Sequence, residues 1–305
     1  MNALVLSGGG TRSVAHLGVL DELAHRFQWE PDILIGTSGG GLVAALWGAG
    51  VTVSQRAQLL ASLQTAVRFH GRREVIALAW KEALRDLLQD QPIQGVLTAT
   101  PLFRHFAATL GNPHIRMREL PRKVILVAFN LTTARQILFP SFKLTADQLF
   151  ACHQRSWEVA PLETPLVDAM HATMALPGLF RPHQIGSAFY VDGGVVDNFA
   201  LDVAELMDVA WALGVNLGGH FTPVGTAALS WSRIVSDAIW SLLADATQAR
   251  EATITIPRVI LQPVVAQFVQ TDLADMGSIY EAGRAAVQRE DAVLQDLLAP
   301  TVAAQ

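Results

Sequence analysis

Two glycine-rich strings carry residues whose types and spacing suit catalysis. Gly36-Thr37-Ser38-Gly39-Gly40 fits the pattern Gly-x-Ser-x-Gly. In that pattern the serine sits on a sharp strand-to-helix turn that lifts its hydroxyl into a cleft. Small flanking residues let the two backbones come close. The following helix aims free N–H groups and partial positive charge at negative charge developing on a substrate. The pentapeptide lies between an apolar strand and an apolar helix, as that chemistry requires. The competing reading is a turn that merely packs a helix on a sheet, with Ser38 as its cap.

The second string is Ser7-Gly8-Gly9-Gly10-Thr11-Arg12. Successive glycines let backbone N–H groups turn outward together and form an anion pocket. In an acyl-transfer enzyme that pocket holds the oxyanion of the tetrahedral intermediate. Arg12 adds a fixed charge or orients the loop through hydrogen bonds. A dinucleotide turn fits less well: Gly8, Gly10 and Ser13 give Gly-x-Gly-x-x-Ser, and no acidic residue closes the second strand. A phosphate-loop NTPase would need Gly-Lys-Ser/Thr, which does not follow the glycines here.

A serine nucleophile needs a base. Asp192-Gly193-Gly194 follows the apolar run Phe189-Tyr190-Val191, which places an aspartate at a strand end. Free aspartate, with a pKa of about 3.9, is a weak base at neutral pH. Burial and a preformed hydrogen bond to serine improve it. The plainer reading of Asp192 is a cap of an Asp-Gly turn. Of nine histidines only His220 follows Asp192, so a Ser38-Asp192-His220 triad remains open on chain order. His16 lies on the first helix, close to the glycine loop, and reads as structural.

The elements that must position these residues follow from periodicity. Ala3 to Leu6 reads as a strand, and a helix begins at about Ser13 with Val14, Leu17, Leu20, Ala24 and Phe27 on one face. A second strand over Asp32 to Ile35 leads into the serine turn and a helix towards Ala49. Strand and helix alternating over so few residues imply a parallel sheet. The pattern from Ser54 to Gly111 is helical, with Thr100-Pro101 opening its last helix. Strands are predicted at Val124 to Phe129, Gln136 to Phe139, Phe189 to Asp192, Ala210 to Asn216 and Val259 to Pro263. Thr164-Pro165 opens a helix that Pro177-Gly178 ends. Lys143 to Glu163 reads as irregular. Helices over Ala228 to Ala246 and Leu273 to Leu298 complete the chain. With no repeat or low-complexity linker, one domain over 1–305 is the economical organisation, with the motifs in about 1–218 and a helical part at about 225–300.

Composition narrows the function class. The 305 residues are 51% hydrophobic and 16% charged, with a mean hydropathy of +0.32. This is enough for a large buried core, with apolar surface to spare for a lipid or a partner. The formal charge of −5 argues against a nucleic-acid binder. Cys152 is the one cysteine, so no intrachain disulfide forms and a reducing, cytoplasmic compartment fits. The N-terminal run is too short and too glycine-interrupted for a signal peptide. Ile33 to Val53 is long and nearly uncharged, but its six glycines favour strand, turn and buried helix over a spanning segment.

Taken together, Leu6 to Arg12 followed by Ala15-His16-Leu17-Gly18-Val19-Leu20 resembles the opening block of patatin-like phospholipases. Gly36 to Gly40 resembles their nucleophile block and Asp192-Gly193-Gly194 their Asp-Gly-Gly/Ala block. Ala172 to Phe180 and Val195-Val196-Asp197-Asn198 are also similar, and Leu273 to Val287, with Gly277 and Gly283, more weakly resembles a closing helix of bacterial members. The resemblance implies a three-layer α/β/α sandwich around a mainly parallel sheet, and a Ser38–Asp192 dyad that needs no histidine. It implies an oxyanion hole from the loop Gly8-Gly9-Gly10, joined by Gly39, with Arg12 supporting the loop. The implied activity is hydrolysis of acyl esters of (lyso)phospholipids or related lipids. The family usually has glycine after that arginine, where this chain has Ser13.

No metal or other cofactor is expected, since no ligand spacing such as His-Glu-x-x-His occurs. A lipid substrate invites peripheral membrane contact. Arg72 to Leu88, with Trp80 among Lys81 and Arg85, and the stretch carrying Trp231, Ile234, Val235, Ile239 and Trp240 are the candidate surfaces, with core packing as the competing explanation. The competing functions are a carboxylesterase using the His220 triad and a non-catalytic module binding an acyl or phosphate group. Head group, acyl position and oligomeric state leave no trace in the sequence.

Overall fold

The computed structural model describes residues 1–56, 58–59, 100–177, 180–218, 231–268 and 275–298. Strand β1 (Asn2–Leu6) shows how the core is built. Side chains alternate across a strand, so Leu4 and Leu6 join one apolar cluster while Ala3 and Val5 join another. All four are fully buried. An uninterrupted apolar run is what a strand covered on both faces requires. Strand β2 (Ile33–Thr37) repeats the pattern, with Leu34 on one side and Ile33 and Ile35 on the other.

Among the described residues the sheet has nine strands. The others are β3 (Val124–Asn130), β4 (Arg135–Pro140), β5 (Glu158–Val159), β6 (His183–Ile185), β7 (Ala188–Asp192), β8 (Trp211–Val215) and β9 (Arg258–Leu261). The main order is β5-β4-β3-β2-β1-β8-β9. From β3 through β9 along that path every pairing is parallel, while β4 and β7 run antiparallel to β3.

Helices among the described residues include α1 (Val14–Phe27), α2 (Ser38–Gly48), α3 (Thr100–Thr109), α4 (Ala146–Gln154), α5 (Leu166–Met174), α6 (Leu201–Leu206), α7 (Trp231–Glu251), α8 (Met276–Arg289) and α9 (Asp291–Leu298). Residues of α1, α2, α3, α5, α8 and α9 close one face of the sheet, and residues of α4 and α6 close the other. The result is a three-layer α/β/α sandwich. Every residue of α2 is buried, which explains why the stretch from Ile33 onward looks like a spanning segment: it is a core strand followed by a core helix. Among the described residues no helix is long and apolar enough to cross a membrane.

Strand β3 positions the site. One of its edges is taken by β4 along Ile125 to Asn130. The other edge is shared: β2 pairs with Val124 to Val127, and β7, arriving from the opposite direction, pairs with Ala128 to Asn130. Thr37 lies opposite Val127 and Asp192 opposite Ala128. The ends of β2 and β7 therefore meet head-on.

Several expectations change. Lys143 to Glu163 is not irregular but holds α4 and β5. Helix α4 is opened by a capping box in which Thr145 Oγ1 accepts from Gln148 N and Gln148 Oε1 accepts from Thr145 N. The helix after Thr164-Pro165 ends at Met174, before Pro177. The last predicted helix is two, separated at Glu290. Strand β6, not expected, pairs with β7 as a hairpin.

Candidate active site

Gly36 and Gly40 make the elbow possible. A β-carbon on Gly36 would lie 2.4 Å from the Gly40 carbonyl oxygen, and one on Gly40 would lie 2.5 Å from that of Ser7. Ser38 stands between them with φ +56°, a left-handed conformation that costs a non-glycine residue about 1–3 kcal/mol. Its N–H donates to Thr173 Oγ1 at 3.0 Å, and the Thr173 hydroxyl donates to the Val127 carbonyl at 2.5 Å. Helix α5 thus anchors the strained residue to β3. Thr173 belongs to a block quoted for its family likeness, but nothing in its local spacing announces this task.

Ser38 Oγ–H donates to Asp192 Oδ2 at 2.6 Å, and both side chains are buried. Asp192 Oδ1 accepts the Gly194 N–H at 2.8 Å. Burial pushes the Asp192 carboxyl up to about 6, against the opposing pull of the hydrogen bonds from Ser38 and Gly194. A carboxylate of that proton affinity is a competent base at neutral pH, where it remains ionised.

Gly8 and Gly9 lie between β1 and the 3-10 turn Gly10–Ser13, which Gly10 opens. The expectation that Gly8 supplies an oxyanion donor does not fit: its N–H donates to the Asn198 carbonyl at 2.9 Å. The first bond of the turn is donated by Arg12 N to the Gly9 carbonyl at 3.2 Å, so the N–H groups of Gly9 and Gly10 precede it. Gly39 lies in the first turn of α2, where helix N–H groups have no intrahelical partner. Those three donors sit on the two segments that border Ser38.

The Arg12 side chain ties this turn to the segment after β9. Its Nε donates to the Phe268 carbonyl at 2.8 Å and its Nη2 to that of Ala266 at 2.9 Å. His16 is fully buried, and its Nε2 lies 2.8 Å from the Ser7 carbonyl oxygen. Burial brings its pKa down to about 4, so it is neutral at physiological pH and its Nε2–H tethers the loop. Among the described residues no histidine is bonded to Ser38 or Asp192. His220, Gly178 and the segment from Arg72 to Leu88 lie outside the described residues, as do the side chains of Trp231 to Trp240.

A family model described as patatin-like phospholipase matches residues 4–205. The chain belongs to that family. A probable lipid hydrolase of Invertebrate iridescent virus 6 is 23% identical over 203 residues, which are 66% of this chain and 62% of the viral protein. The lysophospholipase NTE1 of Mycosarcoma maydis is 28% identical over 215 residues, 70% of this chain and 10% of that protein. An NTE family protein of Mycobacterium tuberculosis is 27% identical over 226 residues, 72% of this chain and 31% of its own length. The chain thus spans less than two thirds of each of these relatives. Among solved structures, VipD from Legionella pneumophila aligns over 95% of this chain and 67% of VipD, with a TM-score of 0.44 and 13% identity.

The patatin-like match contains the glycine loop, the elbow and Asp192, and it ends in α6. Ser13, which stands where the family usually has glycine, has φ −62° and ψ −11°. That is ordinary helical backbone, so the loop needs no glycine there. The Ser13 hydroxyl is buried without a hydrogen-bond partner among the described residues and packs against Gly39, whose β-carbon position is 2.2 Å away.

Proposed function

We propose that the protein is a lipid acyl hydrolase that cleaves acyl esters of (lyso)phospholipids or related lipids through a Ser38–Asp192 dyad. The observation that carries this reading is the buried 2.6 Å hydrogen bond from Ser38 Oγ to Asp192 Oδ2. As Oγ attacks the ester carbonyl, its proton passes to Asp192. The carbonyl oxygen becomes an oxyanion, held by the N–H groups of Gly9, Gly10 and Gly39, each good donor lowering the barrier by roughly 3 to 4 kcal/mol. The intermediate then expels the alcohol, which takes the proton from Asp192, and leaves an acyl ester on Ser38. Water attacks that ester with Asp192 again accepting a proton. The fatty acid departs as the proton returns to Ser38.

The same reading takes 1–305 as one folding unit, supported by the pairing of β9 with β8 and the packing of α8 on α1. A lipid substrate also requires the chain to meet a membrane or micelle peripherally.

A fluorophosphonate probe tests the dyad. The expected result is a single labelled residue, Ser38, with labelling absent in Ser38→Ala and slowed about 10² to 10⁴-fold in Asp192→Asn. The labelling rate falls as pH drops through about 6, where Asp192 takes up its proton. Persistence of labelling in Ser38→Ala sinks the reading. Loss in His220→Ala as complete as in Asp192→Asn favours the triad instead.

A further inference from the structure

Behind the dyad, one short segment holds both catalytic loops. After Asp192 the chain passes through the 3-10 turn Gly193–Val195 to Asp197 and Asn198. The Asp197 N–H donates to the Gly193 carbonyl at 2.9 Å and closes this return. The next two carbonyls are tethers. That of Asp197 accepts the Thr37 hydroxyl at 3.0 Å, and that of Asn198 accepts the Gly8 N–H at 2.9 Å. Thr37 precedes the nucleophile, and Gly8 opens the oxyanion loop.

The Asn198 side chain fills the space these tethers enclose, and it is 6% exposed. A β-carbon on Gly8 would lie 2.3 Å from Asn198 Oδ1 and 3.0 Å from Ser38 Cβ. One on Gly194 would lie 3.0 Å from Asn198 Oδ1 and 3.1 Å from Asp192 Oδ1. One on Gly218 would lie 3.3 Å from Asn198 Nδ2. The amide is thus bordered by glycine backbone from three separate loops, and atoms of the nucleophile and base lie against two of the same glycines. Asn198 Oδ1 has no hydrogen-bond partner among the described residues. Buried polar atoms are normally bonded, and an apolar side chain of similar shape would fill the space without an unmet acceptor. Space filling alone does not account for an amide here.

We propose that Asn198 is the positioning residue of this active site, its amide wedged among Gly8, Gly194 and Gly218 so that the oxyanion loop and Asp192 stay in register with Ser38. This rests on the dyad reading. Asn198 acts through its neighbours: Gly8 sets where the N–H groups of Gly9 and Gly10 point, and the Gly194 N–H holds Asp192 Oδ1 at 2.8 Å. Neither function involves holding the acyl chain, so the effect falls on turnover rather than on affinity.

The test compares Asn198→Ala and Asn198→Asp with the parent on a soluble p-nitrophenyl acyl ester. Asn198→Ala lowers kcat about 10²-fold, the scale of a 1 Å misplacement of reacting groups, while KM stays within about threefold. Asn198→Asp sets a second carboxylate beside Asp192 and moves the acid limb of kcat/KM upward by about one pH unit or more. The other ionisable groups bonded to these loops, His16, Asp197, Asp202 and Arg250, are common to parent and variants. A residue that only stabilised the fold would lower the melting temperature and leave kcat per folded molecule unchanged. If Asn198→Ala does not fold, kcat of the near-isosteric Asn198→Asp, measured above its acid limb, carries the test alone and is expected to fall with KM held. Unchanged kcat per folded molecule in the variants, with Ser38→Ala inactive, overturns the positioning role and leaves the dyad standing. Full activity in Ser38→Ala removes both.

Discussion

Two pairs of glycines in this fold share a cause and differ in visibility. At the elbow, Gly36 and Gly40 let β2, α2 and the end of β1 approach within 2.4 to 2.5 Å of where β-carbons would sit. Where α1 crosses α8, a β-carbon on Gly18 would lie 2.1 Å from the Tyr280 carbonyl oxygen, and one on Gly283 would lie 2.0 Å from that of Ala15. Both are contacts between backbones that no side chain permits. The Gly36 contact joins residues four apart, so their spacing announces it, although Gly40 also meets the distant Ser7 carbonyl. The helix crossing joins segments far apart in the chain, and nothing in the spacing around Gly18 or Gly283 points to the partner. Gly277, on the same helix α8, has open space around its β-carbon position. Polar bonds reinforce the crossing: Glu22 accepts from Arg284 Nε and Gln288 Nε2, each at 2.8 Å, and Asp21 accepts from the Tyr280 hydroxyl at 2.9 Å.

If the two pairs differ only in what they position, substitution separates activity from stability. Gly36→Ala displaces Ser38 and slows fluorophosphonate labelling by about 10²-fold or more. Gly283→Ala forces the helices apart and costs about 1–3 kcal/mol, read from the urea midpoint, with labelling per folded molecule unchanged. Lost labelling in a folded Gly283→Ala protein would dissolve the contrast.

Asp192 sharpens it from the other side, because burial of its carboxyl opposes stability. Its folded-state pKa of about 6 lies above the ordinary 3.8. The folded protein therefore binds this proton more tightly than the unfolded chain does. The favourable contribution is complete below the unfolded value and is lost as pH rises through about 6. Asp192→Asn cannot ionise, so it is more stable than the parent at about pH 8, by up to about 3 kcal/mol, and the difference vanishes near pH 4. Urea midpoints at the two pH values check this; a gap that does not depend on pH would show that the carboxylate is not the cause.

The smallest effect is expected at Ser13, beside the elbow but with no backbone demand of its own. Ser13→Ala removes an unbonded hydroxyl and raises stability by no more than about 1 kcal/mol, with labelling unchanged. A large fall in labelling would mean that this hydroxyl meets the substrate.

Much of this was legible because it is local. The strand, turn and helix around Ser38, the glycine loop after β1, and Asp192 at the end of β7 lie where apolar runs and turn residues place them. Helix α4 was equally local, and its cue, Thr145 with Gln148, is a capping box that the weak apolar periodicity between Lys143 and Glu163 concealed. Other features had no local cue. Thr173 reads as one more small residue in a helix, yet it bonds Ser38 N and the Val127 carbonyl. Gly8 looks like a fourth oxyanion donor until Asn198 is seen to occupy its N–H.

The sequence by itself determined the units: buried strands with apolar residues on both faces, an elbow forced by Gly36 and Gly40, and a carboxylate held at a strand end. Each depends on residues within a few positions of one another. Only the tertiary structure decided that Ser38 and Asp192 touch, that Arg12 is tied to Ala266 and Phe268, and that Asn198 sits among three loops. Ser38 meets Asp192 because β2 and β7 share one edge of β3 in adjoining registers. Register between strands distant in the chain is set by packing and pairing across the whole sheet, and no local pattern encodes it.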